Sequence, residues 1–274
     1  MGRVFKNCLE MIKEIDRDLK VCGLTVPVKH YQNKKLVGEN QLTKELIGVS
    51  FLISKPLVKR KEMLEFIFKE DANRIEKYCM QEHADRTSRR PLNPGNSYKI
   101  RKDMWHKFLT NPEKCDICHG NKVILGAERK QETCWSCDGA GEIQKFDYTY
   151  AERMSWQLSN AIDALIEDKH TRQALIQVFQ ANPDSGLYGG NTRIPCSVDY
   201  QILIRNNRVH VIYHMRSNDY FGHFPIDIWL AAELLQWFKS NLEPHYPFLK
   251  TGSLTYFCGS LHAYKWDIDK WVIY

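Results

Sequence analysis

Apolar and polar residues alternate most clearly in the second half of the chain. Residues 200–204 and 209–213 each alternate with a period of two, and Asn206 and Asn207 stand between them. This pattern predicts a β-hairpin, because successive side chains of a strand point to opposite faces and asparagine tolerates the backbone angles of a tight turn. The two ends of a hairpin lie side by side, so we expect Cys196 to lie close to Arg216.

Other segments have the spacing of helices or the composition of strands and loops. Apolar residues recur every three to four positions in 5–19, 61–79, 149–166 and 225–241, which predicts four helices. Apolar runs predict strands at 46–53 and 174–179, whereas Gly, Pro and polar residues predict loops at 87–98 and 182–191. Long helices combined with a strand-rich end after residue 190 favour an α+β fold.

Composition narrows the class of protein. At 274 residues and 43% hydrophobic, the chain can bury a full core as one large domain, or as one domain with an insertion. No apolar run approaches the length of a membrane helix, and nine cysteines without a secretory signal favour a reducing compartment, so we expect a cytoplasmic protein without a membrane partner. A net charge of +6 suits an anionic nucleotide but does not by itself indicate DNA binding.

Four of the cysteines form two CxxC pairs. Cys115 and Cys118 precede Cys134 and Cys137, with fifteen residues between the pairs. Zinc in closed structural sites prefers four thiolates in a tetrahedron, and this spacing can supply them. We therefore expect one structural Zn²⁺, in a stabilising role, because four cysteines leave no open coordination position.

Five motifs occur in a fixed order in the second half of the chain. They are IPC at 194–196, YQ at 200–201, RSND at 216–219, FPIDI at 224–228 and GSLHAY at 259–264. Together they resemble the catalytic half of the thymidylate synthase family. The resemblance implies a mixed sheet with packed helices in a catalytic domain of residues 1–111 and 144–274, interrupted by a zinc-ribbon or knuckle insertion at 112–143.

The resemblance also implies roles for individual residues. Cys196 would attack ring carbon 6 of a pyrimidine nucleotide, and Tyr150 would lie beside it. Asp219 would order the folate and base side of the site. The nucleotide phosphate and sugar would be held by Arg216, Ser217, His262 and Tyr264.

Three further positions match the family pattern less closely. Glu62, with Glu65 one turn away as a competitor, would relay protons to the ring. Arg172 would reach across a homodimer to the partner's phosphate, although the family carries a second arginine where Gln173 stands. Lys44 is a candidate for the role of the family's flexible phosphate-loop arginine.

Asp227 bears on the choice of base. Thymidylate synthases carry asparagine here, whose amide both donates and accepts and so matches uracil. A carboxylate accepts instead, which matches the exocyclic amine of cytosine and resembles the cytidylate hydroxymethylase branch of the family. The alternative is an exposed aspartate that caps a helix after Pro225.

The sequence therefore predicts a C5-hydroxymethylase acting on dCMP or CMP in a bacterial or phage-infected cell, with 5,10-methylenetetrahydrofolate as donor. The family usually continues well past its His-x-Tyr motif to close over the folate, whereas this sequence ends at Tyr274. Ser197 and His223 replace the family's usual His and Gly, which implies an altered pocket wall.

Two alternatives remain open. One is a dUMP or dCMP methyltransferase. The other is a non-catalytic zinc protein that binds nucleic acid through a basic group consisting of Arg86, Arg89, Arg90, Lys99, Arg101 and Lys102.

Overall fold

A seven-stranded mixed sheet forms the centre of the molecule. The computed structural model describes residues 2–31, 34–35, 41–126, 129–184 and 193–268. Its strands are β1 (Arg3–Phe5), β2 (Leu24–Pro27), β3 (His30–Tyr31), β4 (Lys34–Lys35), β5 (Leu42–Ile53), β6 (Glu113–Lys114), β7 (Val123–Leu125), β8 (Gln131–Thr133), β9 (Glu142–Ile143), β10 (Leu175–Gln177), β11 (Ser197–Arg205), β12 (Arg208–Asp219) and β13 (Lys250–Tyr264). Its α-helices are α1 (Cys8–Cys22), α2 (Arg60–Phe68), α3 (Ala72–Arg86), α4 (Lys102–Trp105), α5 (Tyr150–Glu167), α6 (Ala181–Asp184), α7 (Phe224–Leu242) and α8 (Lys265–Ile268).

The main sheet has the order β1-β5-β13-β12-β11-β10, and β2 pairs with β5 as well. β12 is antiparallel to β11 but parallel to β13, with α7 as the crossover between them. A parallel pair requires such a crossover connection, so the strongly apolar helix and the mixed character of the sheet belong together. The mixed sheet with packed helices and the four-cysteine cluster confirm the expected fold class.

The predicted hairpin is present and extends beyond its predicted ends. β11 and β12 pair from Arg205↔Arg208 at the turn to Ser197↔Met215 at the far end. Asn206 and Asn207 have φ values of 48° and 56°, in the left-handed region that a two-residue hairpin turn requires.

Helix α7 lies at the centre of the helical layer. It packs on β12 and β13 and is covered in turn by α2, α3 and α5. A helix with neighbours on several sides is apolar around most of its circumference, which explains the dense hydrophobic pattern of 225–241. On the sheet, buried residues alternate with partly exposed ones, so the helices cover one face.

Two predicted helices differ from the observed ones. The helix expected from residue 5 begins at Cys8, because Asn7 accepts a hydrogen bond from the Glu10 amide as its N-cap, and Phe5 belongs to β1. The helix expected over 61–79 is two helices, α2 and α3, separated by a short 3₁₀ turn at which Lys69 has a φ of 51°. The loop predicted at 182–191 lies largely outside the described residues.

The segment between Phe108 and Phe146 forms its own small structure. β6 pairs with β9, with Glu113 opposite Ile143, and β7 pairs with β8 in a separate hairpin. The four paired cysteines lie within this segment. The domain boundaries at 112 and 143 stay a prediction.

Within the described parts of the chain, none of the helices combines the length and the apolar character needed to cross a membrane.

Candidate active site

A cavity of about 920 Å³ opens between the sheet and the helices. Its wall is formed by the ends of β12 and β13, the first turns of α5 and α7, the inner face of α3, and the segment that leads into β11. Its volume is near the upper end of the roughly 300–1,000 Å³ typical of small-molecule sites. The wall includes most of the residues singled out by the motifs, namely Tyr150, Cys196, Arg216, Ser217, Asp219, Asp227, His262 and Tyr264.

Cys196 lies half-buried at the start of β11. The Tyr150 hydroxyl accepts hydrogen bonds from the amides of Cys196 and Ser197, each at 3.2 Å. The Ser217 hydroxyl lies 3.6 Å from the Cys196 sulfur and is oriented to donate to it. The thiol therefore lies in the cavity wall, while hydrogen bonds from the Cys196 and Ser197 amides to Tyr150 fix the backbone that carries it.

Arg216 is positioned by the loop that carries the thiol. Its Nε donates to the Pro195 carbonyl and its Nη2 to the Ile194 carbonyl, each at 2.9 Å. Its Nη1 donates to the Ser217 hydroxyl at 2.9 Å. This arrangement places a cation and a hydroxyl together beside Cys196, which is the chemistry needed to hold a phosphate.

Two carboxyl groups of the cavity have pKa values well above that of a free aspartate. Burial raises the pKa of Asp227 to about 7, and Arg86 and a hydrogen bond from Asn218 oppose the rise only in part. Burial also raises the pKa of Asp219 to about 7, although the Gly222 amide donates to it at 3.1 Å. Asp227 is only 7% exposed, so it is not the exposed helix cap that the sequence left open.

His262 and Tyr264 lie at the end of β13, on the opposite side of the cavity from the helices. Their rings meet edge to face at 5.1 Å, and His262 Nδ1 lies 3.3 Å from the Ser260 hydroxyl. Burial lowers the pKa of His262, which favours the neutral ring. A neutral imidazole beside a phenol suits hydrogen bonding to a sugar hydroxyl.

The structure places Lys44 outside the described wall of the cavity. On strand β5, Thr43 and Glu45 line the cavity, and Lys44 between them points to the other side because alternate residues of a strand face opposite ways. Its ammonium group lies 3.4 Å from the Lys20 carbonyl at the end of α1. Lys44 is therefore not placed to hold a ligand in this cavity.

Arg172 is exposed and is also outside the cavity wall. Its backbone carbonyl accepts a hydrogen bond from Gln201 at 2.9 Å, which ties the loop before β10 to β11. An exposed guanidinium is available to a second subunit, so the role of Arg172 across a dimer stays a prediction.

The structure places Glu62 and its competitor Glu65 on the surface of the molecule, and the proton-relay role stays a prediction. Both side chains are exposed on α2, and neither belongs to the described wall of the cavity. Glu82 on α3 is one of the carboxylates that line the cavity from the helices, together with Asp85 and Asp227. The sequence contained a signal for Glu82, since Tyr78, Glu82 and Arg86 recur at intervals of four and so share one helix face.

Glu82 is held by three side chains. It accepts hydrogen bonds from Arg86 at 2.8 Å, from the Ser97 hydroxyl at 2.7 Å and from the Tyr78 hydroxyl at 3.5 Å. Burial alone would raise the pKa of Glu82, but Arg86 and these hydrogen bonds outweigh it and lower the pKa. Arg86 in turn lies over the Tyr150 ring, 4.7 Å from its centroid, and links Glu82 to the nucleophile side of the cavity.

Arg193 is a further wall residue that its sequence context did not predict. Its guanidinium lies among four aromatic rings, with the centroids of Trp105, Phe108, Phe146 and Tyr148 between 5.0 and 5.7 Å away. Cation–π contacts contribute about 0.5–2 kcal/mol each, whereas taking an unpaired ion out of water costs several kcal/mol. Arg193 lies three residues before Cys196 in a polar run, which gave no sign that aromatic residues from distant segments would surround it.

The four paired cysteines form a buried cluster outside the cavity. All four sulfur atoms lie within 4.8 Å of one another, with Cys115 and Cys134 at 3.7 Å and Cys118 and Cys137 at 3.6 Å. A tetrahedral zinc site with Zn–S bonds of about 2.3 Å requires sulfur atoms about 3.8 Å apart. The Gly141 amide donates to the Cys137 sulfur at 3.3 Å, as expected for a thiolate ligand. The cluster therefore fits Zn²⁺.

Comparison with known proteins agrees with this geometry. The family model described as thymidylate synthase matches residues 95–272. A "Putative thymidylate synthase" of Methanococcoides burtonii is 27% identical over 149 residues, which cover 52% of this chain and 64% of that protein. A protein of the same description from Methanosarcina mazei is 27% identical over 150 residues, and the match again spans 64% of its length.

We expect the cysteine cluster to bind one zinc ion per chain. Replacing Cys118 by serine should lower both the zinc content and the free energy of unfolding, because metal binding at such sites contributes directly to folding. Elemental analysis and urea unfolding measure the two quantities. Cys22→Ser, which changes an exposed cysteine of α1, is the matched control and should alter neither. Protein purified without chelator that contained no zinc would contradict the assignment.

Proposed function

The chain belongs to the thymidylate synthase family, and we propose that it is a C5-hydroxymethylase of a cytosine nucleoside monophosphate. The observation that carries the proposal is the presence of Cys196, Arg216 and Asp227 in the wall of one cavity. They supply a nucleophile, a phosphate ligand and a base-recognising carboxyl group.

Cys196 begins the reaction by covalent catalysis. Its thiolate adds to ring carbon 6, and the electrons of the carbon 5–carbon 6 double bond then make carbon 5 nucleophilic. Carbon 5 would bond to the methylene carbon that a donor supplies and would lose its proton to water, and the bond from that carbon to the donor's nitrogen would break to leave an exocyclic methylene on the ring. Water adds to the resulting exocyclic methylene while the sulfur leaves, which restores the ring double bond and yields a hydroxymethyl group.

A methylene donor, a folate in this family, supplies the one-carbon unit when bound. The cavity fits a flat carrier beside the nucleotide, because its volume of about 920 Å³ is large and aromatic residues such as Trp105 and Tyr148 line one end.

Asp227 supports cytosine as the base. A buried polar group must be paired, and a carboxylate facing ring position 4 can accept from the amine of cytosine but repels the carbonyl of uracil. Its pKa of about 7 means that both protonation states occur near neutral pH. The protonated form can donate to a carbonyl, so recognition of the base depends on pH.

Glu82 is the candidate for proton transfer in place of Glu62. Its carboxylate lies on the cavity wall and is hydrogen-bonded to a serine and a tyrosine hydroxyl, Ser97 and Tyr78. Such a carboxylate can exchange protons with the ring through water.

The nucleic-acid alternative has little support among the described residues. Arg86 is 9% exposed and Arg101 is 6% exposed, so two of the six basic residues considered for that role are buried. A phosphate backbone requires exposed cations.

A homodimer, as is typical of the family, would bring Arg172 of one subunit towards the phosphate of the other. The face of the sheet away from the helices carries exposed apolar residues, including Leu175 and Phe257. That face is suited to pairing with a second copy, and the arrangement is part of the proposal.

The central test is a mass measurement of protein incubated with 5-fluoro-dCMP and methylenetetrahydrofolate. Fluorine cannot leave carbon 5 as the proton does, so we expect a covalent ternary adduct. Cys196→Ser should form no adduct while binding dCMP nearly as well as wild type, and Cys22→Ser should behave as wild type. An adduct on the Cys196 variant would refute the nucleophile assignment. A methyl group in the product formed from dCMP would favour the methyltransferase alternative.

A second prediction concerns pH and the choice of base. The ratio of kcat/KM for dCMP to that for dUMP should rise as pH increases from 6 to 8, because ionised Asp227 accepts from the amine and repels the carbonyl. Groups that act equally on both substrates, such as Cys196, cancel in this ratio.

Asp227→Asn should shift the ratio towards dUMP and make it independent of pH. An unpaired buried polar group costs about 1–3 kcal/mol, which corresponds to a shift of roughly five- to a hundredfold. A wild-type ratio that is flat with pH, or a variant with the wild-type ratio, would remove Asp227 from base recognition.

A third prediction separates the two glutamates. Glu82→Gln keeps the size and most hydrogen bonds of the side chain but cannot carry a proton, so kcat should fall by about 100-fold or more. Glu62→Gln, on the exposed face of α2, should leave kcat unchanged. Calorimetric dCMP binding should stay close to wild type in both variants, and the opposite ranking of the two kcat values would restore Glu62 as the proton relay.

A further inference from the structure

Strand β11 contains a β-bulge directly after Cys196. Ser197 lies opposite Met215 and Asp199 lies opposite His214, so Val198 is an extra residue without a counterpart on β12. Bulges are frequent next to active sites, where they redirect a side chain. The position of this bulge therefore raises the question of which side chain it redirects.

The bulge turns Ser197 into the interior of the protein. Side chains of a regular strand alternate, so Ser197 and Tyr200, three residues apart, would lie on opposite faces of β11. With the extra residue between them, both are buried, Ser197 completely and Tyr200 with 1% exposed. A serine hydroxyl in such a place needs a hydrogen-bond partner, because burial removes it from water.

Tyr213 on β12 is that partner. Its hydroxyl lies 2.6 Å from the Ser197 hydroxyl, and the side chain is fully buried. The Tyr213 ring stacks on Tyr200 with the centroids 4.1 Å apart, and it meets the Tyr256 ring edge to face at 5.7 Å. Two neighbouring rings thus fix the phenol, so its hydroxyl can hold Ser197 in one orientation.

Tyr150 holds the backbone of the same residue. Its hydroxyl accepts hydrogen bonds from the Cys196 and Ser197 amides, each at 3.2 Å. Burial raises the pKa of Tyr150, so the phenol keeps its proton. One tyrosine therefore binds Ser197 at its amide, and a second binds it at its hydroxyl.

We propose that Ser197 and Tyr213 are positioning residues for Cys196, which hold the bulge so that the thiol faces the cavity in one orientation. Neither residue belongs to the described wall of the cavity, so both act through the backbone and not by contact with a ligand. Orientation matters because a nucleophile adds to a ring carbon only from a narrow range of approach. The inference rests on the proposed function only in taking Cys196 as the nucleophile.

A double-mutant cycle separates positioning from a contribution to stability alone. Ser197→Ala or Tyr213→Phe leaves one buried hydroxyl unpaired, whereas the double variant removes both hydroxyls and should regain much of the lost free energy of unfolding. The hydrogen bond that holds the bulge is absent from all three variants. Positioning therefore predicts a defect in all three, including the double variant whose stability has recovered.

The first readout is the rate of covalent adduct formation with 5-fluoro-dCMP and methylenetetrahydrofolate. We expect this rate to fall by about three- to tenfold in each of the three variants, the usual effect of one buried hydrogen bond. Calorimetric dCMP binding should stay close to wild type, because neither residue lines the cavity.

Tyr246→Phe is the matched control. The Tyr246 hydroxyl donates to the Leu165 and Ile166 carbonyls at 2.6 and 3.0 Å, and the residue is not part of the described cavity wall. This variant also loses a tyrosine hydrogen bond, so its stability should fall. It should form the adduct at the wild-type rate.

Amide hydrogen exchange, measured by NMR, tests the positioning without relying on any reaction. The Cys196 and Ser197 amides should exchange about three- to tenfold faster in the three variants than in wild type and Tyr246→Phe, because the bulge is no longer held at the serine hydroxyl. This exchange pattern in a protein that forms no adduct would reject the proposed function and leave the positioning in place.

Two results would overturn the inference. One is a double variant that recovers the wild-type adduct rate together with its stability, since the pair would then have a purely structural role. The other is wild-type exchange at both amides in all three variants.

Discussion

The pairing of the β11–β12 hairpin at its open end is the constraint on which the site depends. The Arg216 amide donates to the Cys196 carbonyl at 2.9 Å, and the Arg216 side chain donates to the two residues before Cys196. Because the same strand pair fixes both residues, the thiol and the guanidinium cannot separate without breaking the sheet. β13 then lies parallel to β12, with Ser217 opposite Ser260 and Asp219 opposite His262. The register of one sheet thus sets the relative positions of Cys196, Arg216 and Ser217 and of the facing residues Ser260 and His262.

The cavity is assembled at a cost in stability. Asp219 and Asp227 have pKa values of about 7 in the folded protein, above the value of about 3.9 for an unfolded aspartate. The folded state therefore holds these protons more tightly. Their contribution to the free energy of unfolding is complete below about pH 4 and is lost as pH rises through 7. Arg101 is a further buried cation, and its Nε and Nη1 atoms have no hydrogen-bond partner in the part of the chain that the structure describes. Buried groups of this kind are retained where a bound ligand pairs with them. The polar interior of this cavity therefore indicates a binding site rather than a packed core.

The local sequence pattern was sufficient to predict the hairpin, α5, α7 and the cysteine cluster. The hydrophobic period, the turn residues and the spacing of metal ligands are all local properties of the sequence. The local pattern did not predict the positions of side chains that depend on packing between distant segments. Lys44 has the charge of a phosphate ligand, but the strand turns it away from the cavity while its neighbours face inward. Residues 61–79 look like one helix, but the chain breaks at Lys69 into α2 and α3, and Glu82 on α3 lines the cavity whereas Glu62 on α2 does not. Arg193 could not be predicted at all, since its four aromatic neighbours come from segments that only the folded chain brings together.

Those aromatic neighbours connect the cysteine cluster to the cavity wall. Trp105 and Phe108 lie just before the cluster in the sequence, and Phe146 and Tyr148 lie just after it. Two hydrogen bonds between Thr110 and Lys145, at 2.8 and 3.2 Å, join the two flanks. The Cys115 amide also donates a hydrogen bond to the Gly141 carbonyl at 2.9 Å. Zinc held by the four thiolates would close this loop and fix the separation of its ends. The rings around Arg193 are therefore positioned both by the main sheet with its helices and by the segment that carries the four cysteines. A zinc ion at this position would act on the shape of the cavity wall without contributing a ligand to the cavity.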